Sequence, residues 1–102
     1  MANVAERYDD ERYEARDPVL HRTRGSTGDA RFAMLVVNLS PGGLMARCDA
    51  VLAPGDVVRL DLPIVGSVAM RVRWALAGRV GCQFDAALSP LTYGRLLPLV
   101  AA

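Results

Sequence analysis

Lysine is absent from this chain: all 12 basic residues are arginine. Any anion site must therefore be built from guanidinium groups, which grip phosphate bidentately and stack on flat rings. Histidine occurs once, as His21. It sits among Leu20, Arg22 and Thr23 and reads as a surface or half-buried strand residue. No Ser–His–Asp set and no converging carboxylate pair stands out, so the chain is not expected to be an enzyme. Its two cysteines, Cys48 and Cys82, are too few and too far apart for a zinc site with one histidine to help. No metal or other cofactor is expected, and the cysteines read as reduced core thiols, a disulfide being the lesser alternative. No apolar run approaches the ~18 residues of a transmembrane helix. The charged N-terminus has no hydrophobic segment of the signal-peptide kind, so the expectation is a cytoplasmic protein without membrane insertion.

What is present is enough for one small domain. The chain has 102 residues, 52% of them hydrophobic, and a chain of this size buries roughly 60–70% of its unfolded surface. The net charge of +1 argues against binding a nucleic acid polymer through bulk charge. The charge is unevenly placed. Residues 1–17 hold three arginines (Arg7, Arg12, Arg16) against six acids (Glu6, Asp9, Asp10, Glu11, Glu14, Asp17), whereas the remainder holds nine arginines against five acids. An acidic segment without apolar period thus precedes a basic body, and residues 1–17 read as a flexible arm before a single domain at 18–102.

From Pro18 onward the pattern is one of short strands. Candidates are Val19 to Thr23; Arg31 to Asn38, reached through a Gly25–Asp29 loop; Gly43 to Cys48; Val57 to Leu62, entered by the Pro54-Gly55-Asp56 turn; Val68 to Trp74; and Arg79 to Phe84. Val58, Leu60 and Leu62 alternate with Arg59 and Asp61; Val68, Met70, Val72 and Trp74 alternate with Ala69, Arg71 and Arg73. In the second strand both faces are apolar, Phe32, Met34 and Val36 on one and Ala33, Leu35 and Val37 on the other. Six strands at hairpin spacing predict a mainly β fold, a small six-stranded antiparallel barrel of the split-barrel type, which also removes exposed edges. Ser89-Pro90 is an N-cap with proline at the first helical position. It opens a short C-terminal helix whose expected apolar stripe is Leu91, Leu96, Leu97 and Val100, weakened by Gly94 and Pro98.

Two stretches carry polar chemistry. In "NLSPGG" (38–43), Asn38 and Ser40 stand two residues apart, so both side chains can project to one side. Each offers a donor and an acceptor suited to the edge of a nucleobase. Gly43 can admit a positive φ or a close backbone approach. The alternative is an ordinary hairpin whose polar side chains bond their own backbone. In "RYEAR" (12–16), Arg12 and Arg16 are four apart and can close on one anionic, aromatic ligand, or be two charges of a solvated tail. Trp74, by its alternation, points to the core, with stacking on a ligand as the alternative. Arg71 and Arg73 read as solvated surface on the opposite face.

In order, spacing and strand–turn–helix context, "RYEAR", "NLSPGG", the strand ending in Trp74 and the "GCQF" strand resemble the PilZ domain family, over about residues 11 to 97. The family pattern RxxxR followed by [D/N]xSxxG falls on Arg12 and Arg16 and on Asn38, Ser40 and Gly43. The resemblance implies a six-stranded barrel with a C-terminal helix and binding of cyclic di-GMP, a bacterial second messenger. It implies that Arg12 and Arg16 hold phosphates and guanine faces, that Asn38, Ser40 and Gly43 serve a guanine and the adjoining backbone, and that Trp74 stacks on the ligand. Glu11 departs from the pattern, because many members carry a further arginine there. With Glu14 and Asp17 nearby, weakened binding of a single ligand molecule is expected. The function so implied is a stand-alone cyclic di-GMP receptor, monomeric or weakly dimeric, whose arm orders on ligand and signals through a downstream protein. The alternative is a PilZ-like adaptor with weak or no ligand binding that works through protein contacts.

Overall fold

The computed structural model describes residues 16–102. Strands β1 (Asp17–Thr27), β2 (Ala30–Ser40), β3 (Gly43–Arg47), β4 (Val57–Leu62), β5 (Gly66–Leu76) and β6 (Arg79–Phe84) are followed by helix α1 (Pro90–Val100). All pairings are antiparallel, and the strands close into a barrel in the order β1-β2-β3-β6-β5-β4. The expected barrel and helix are thus both present. The first hairpin is longer than its composition predicts: Gly25, Ser26 and Thr27 continue β1, paired with Phe32, Arg31 and Ala30, and only Gly28-Asp29 remains as the turn.

The alternating apolar residues fill the barrel. Val58, Leu60 and Leu62 of β4, Met70 and Val72 of β5, and Val80, Cys82 and Phe84 of β6 are all buried. Met34, Val36 and Leu39 join them from β2. Each large side chain taken fully from water contributes roughly 1.5–3 kcal/mol. Closure is narrowest between β1 and β4, where only Gly25–Leu60 and Ser26–Arg59 pair. The Thr23 hydroxyl adds a bond to the Asp61 carbonyl at 2.9 Å.

Beyond that seam the helix takes over. Ser89 caps it, its Oγ accepting from the Thr92 N–H at 3.1 Å, and Leu96 and Val100 enter the common core. Leu97 is half-buried, but Leu91 is 65% exposed and stands off the expected stripe. It falls five residues before Leu96, about 140° round the helix from it. Past the helix, Ala101 forms a bridge to Val19 of β1.

Cys48 and Cys82 are buried free thiols. Burial pushes the Cys82 thiol up to about 12, with a smaller contribution from Cys48, and raises Cys48 as well. The neutral thiol is therefore favoured in the folded state. Its stabilisation is full below the unfolded value near 9.0 and is lost as pH rises from there toward about 12. Cys82 is expected to resist alkylation by iodoacetamide at pH 8 until urea unfolds the protein. Rapid labelling of both thiols in the native protein would contradict this.

The β4–β5 connection carries local strain. Ile64 has φ 57° and is 62% exposed, and the Val65 N–H bonds the Pro63 carbonyl across it at 2.6 Å, a tight three-residue turn. A β-branched side chain in the left-handed region is strained by about 1 kcal/mol or more. Ile64→Asn, which tolerates this region, should raise stability by roughly 1 kcal/mol in urea titration; a loss would show that the Ile64 side chain contributes packing.

Candidate functional site

Asn38, Ser40 and Gly43 share the outer face of the sheet, and the way they get there is a matter of strand phase. Side chains alternate across a strand, so one extra residue reverses the alternation beyond it. In β2 the register against β3 runs from Val36–Ala46 to Asn38–Met45, leaving Val37 as the extra residue. Beyond it Leu39 is the inward residue, fully buried, and Asn38 and Ser40 fall on the opposite phase. In β5 the register against β6 runs from Val72–Cys82 to Trp74–Gly81, leaving Arg73 as the extra residue.

Trp74 is accordingly not a core residue. Its alternation with Val68, Met70 and Val72 stops at the bulge, and it is 40% exposed. Its indole lies over Gly81 of β6, where a Cβ would collide with Nε1 and Cε2. Gly81 is buried as a result. Arg73 and Arg71 are exposed as expected, with Arg73 donating to the Gln83 amide oxygen and Arg71 to the Gly55 carbonyl at 3.2 Å.

The pairings set out two adjacent rungs on this outer face. One runs Pro18–Asn38–Met45–Gly81–Trp74 across β1, β2, β3, β6 and β5. The next runs Ser40–Gly43–Gln83–Arg71. Asp17 pairs with Leu39, so exposed Arg16 stands level with Ser40 at the end of the second rung. Asn38, Ser40 and Gly43 are therefore neighbours, and Arg16 is the residue that precedes the Asp17–Leu39 pair. Trp74 is on the same face but three strands from Asn38, ~14 Å at the usual spacing. Arg12 and Glu11 lie outside the described residues.

The local chemistry divides the turn from the ligand site. Ser40 is buried, and its hydroxyl lies 3.4 Å from the Gly43 carbonyl, a bond of the turn itself. Gly43 needs no positive φ. A Cβ there would overlap the Cys82 carbonyl of the neighbouring strand, so glycine is required by the close approach of β3 to β6. Asn38 is different: its Oδ1 is buried and has no hydrogen-bond partner among the described residues. The residue directly across on β1 is Pro18, which has no N–H to give it. An orphaned buried acceptor costs roughly 1–3 kcal/mol, and it is ready for an N–H donor such as a guanine edge.

A family model matches this pattern: the PilZ domain, over residues 7–102. The chain belongs to the PilZ domain family. That family is the cyclic di-GMP receptor family, and the six-stranded barrel with its C-terminal helix accords with it. A comparison with curated protein sequences gave no match.

Beyond the motif, the sequence reading passed over Tyr93. Its hydroxyl lies 2.5 Å from the Asp17 carboxylate and 2.9 Å from the Leu39 carbonyl, tying α1 to the root of the arm and to the strand that carries Asn38. It also passed over the outward pair Arg47 and Arg79. Strand-interior glycines mark close approach, and Gly81 within "GCQF" was the available signal that Trp74 lies across the sheet and not inside it.

The Gly43 geometry makes a prediction that needs no ligand. Gly43→Ala should lower stability by about 3 kcal/mol, because the colliding atom is backbone and cannot rotate away. Asn38→Ala, which removes an unpaired acceptor, should change it little. Urea denaturation of the two variants checks both, and an unperturbed Gly43→Ala would mean that β3 and β6 separate freely.

Proposed function

We propose that this domain is a non-catalytic receptor for cyclic di-GMP in the bacterial cytoplasm, with Arg12, Arg16, Asn38, Ser40 and Gly43 as its binding shelf and Trp74 at the far end of the same face. The observation that carries the reading is the buried, unpartnered Asn38 Oδ1 beside Arg16 on the outer sheet of a PilZ barrel. A guanine N–H satisfies that acceptor. The guanidinium of Arg16, joined by that of Arg12, neutralises the two phosphates and stacks on purine faces. Gly43 keeps the strand pair tight enough to hold the shelf.

The ligand has two negative charges, and Glu11, Glu14 and Asp17 oppose them. Binding of one molecule at modest affinity is the expected outcome, with the arm ordering over the shelf and the altered surface read by a downstream protein.

Isothermal titration with cyclic di-GMP tests this directly. Arg12→Ala and Arg16→Ala should each weaken binding by tenfold or more, since each removes a charged hydrogen-bonded contact of roughly 1.5–3 kcal/mol. Asn38→Ala should weaken it while leaving thermal melting near native. Glu11→Arg should tighten binding and steepen its salt dependence. Absence of any binding heat in the wild-type protein, with the fold intact, would leave the adaptor role through protein contacts.

A further inference from the structure

One rung beyond the Asn38–Trp74 row, the outer face carries Arg22–Leu35–Arg47–Arg79–Leu76 across the same five strands. Arg47 and Arg79 stand directly opposite each other on β3 and β6, and both are exposed. Among the described residues no ion pair reaches either guanidinium. Like charges in that position repel, with Cβ atoms only ~5 Å apart, and weaken the strand pair. The fold has no need of them.

Three further features surround the pair. Trp74 lies two residues diagonally from Arg79, against Gly81, with two-fifths of its surface still accessible. Leu76, the neighbour of Arg79 on β5, is 75% exposed. Asp49 lies two residues past the end of β3. Together Arg47, Arg79, Trp74, Leu76 and Asp49 line an open cleft of about 550 Å³.

We infer that this cleft is a second ligand site, for a nucleoside monophosphate, with the phosphate between Arg47 and Arg79 and the base on Trp74. Two guanidiniums on adjacent strands present parallel forks to one phosphate, and the shared anion turns their repulsion into attraction. An aromatic face beside an anion site selects a ligand that has both an anion and a flat ring, in preference to inorganic phosphate. Leu76 adds an apolar flank. Asp49 repels phosphate, so the phosphate lies toward the arginines, and its carboxylate accepts from the N1–H and amino group of guanine, which adenine does not offer in that arrangement. The site shares Trp74 with the far end of the shelf's face, but its phosphate-holding pair, Arg47 and Arg79, is distinct from Asn38, and it does not depend on cyclic di-GMP being the ligand of the shelf.

Trp74 is the single tryptophan of the chain, so its fluorescence reports this cleft directly. Full-length protein is titrated with GMP, and with AMP in parallel. The expected result is saturable quenching by GMP and weaker quenching by AMP. The Arg47→Gln/Arg79→Gln double variant should lose at least tenfold in apparent affinity, and Arg47→Lys/Arg79→Lys should fall between it and the wild type. Asn38→Ala should quench as the wild type does. Melting of the Gln variant at or above the wild-type temperature is expected, because a repulsive pair has gone. Absence of saturable quenching in the wild type overturns the inference, as does quenching that survives in the folded Gln variant or disappears with Asn38→Ala. Calorimetry of Asn38→Ala with cyclic di-GMP reads the shelf alone, so failure of one site is distinguishable from failure of the other.

Discussion

The outer surface of this barrel is decided by strand phase, and the phase is reset at three places, Val19-Leu20 in β1, Val37 in β2 and Arg73 in β5. A strand with strict alternation would carry Asn38 inward behind Val36 and Trp74 inward behind Val72. Burying the amide of Asn38 in the apolar barrel interior would desolvate it with no partner in reach. The indole of Trp74 would also overfill a core already closed by residues at or near zero exposure. One extra residue in each strand sends both outward onto a common rung. The apolar register before each bulge is kept, so the core and the candidate site's face are specified by the same strands without conflict.

The glycines follow from the same constraint. With Trp74 outward, its indole needs a surface to lie on, and Gly81 directly across supplies one that no other residue can. Gly43 lets β3 approach β6 at the start of the ladder, where it pairs with Ser40 on one side and with Gln83 on the other. A glycine in the motif is easily taken for ligand clearance. Here the clash it avoids is with the protein's own backbone.

Much of this fold is legible in the sequence because period-two alternation and turn residues are local signals. β4 and β6 begin and end where their patterns do, at Val57–Leu62 and Arg79–Phe84, and Ser89-Pro90 opens the helix. Bulges are not local. Nothing in "RVRWAL" distinguishes a continuous strand from one with Arg73 left over, because the register depends on the partner strand, and Trp74 was misread for that reason. The first hairpin was read short because Gly25, Ser26 and Thr27 have turn composition, whereas in the barrel they pair with β2 and two of them close the seam with β4. Of the candidate site, the spacing of Asn38 and Ser40 showed a shared direction. The level placement of Arg16, the orphaned Asn38 acceptor and the opposed Arg47 and Arg79 needed three-dimensional pairing.

The weakest closure of the barrel lies beside the root of the arm, and it explains why the helix is where it is. β1 pairs with β4 only near the first hairpin, so its opposite end, Asp17 to Arg22, has no sheet neighbour on that side. Helix α1 covers it, with Leu96 and Val100 in the core, Ala101 bridged to Val19, and Tyr93 bonded to Asp17 and Leu39. Arg16 and Asp17 are consecutive, one level with Ser40 and the other bonded to Tyr93. A displacement of the chain at Arg16 large enough to move Asp17 must either break the Tyr93 bond or carry the helix with it. Breaking it gives up a charged hydrogen bond, which is worth more than a neutral one. The start of β1, the strand that carries Asn38 and the helix are therefore joined through one tyrosine hydroxyl.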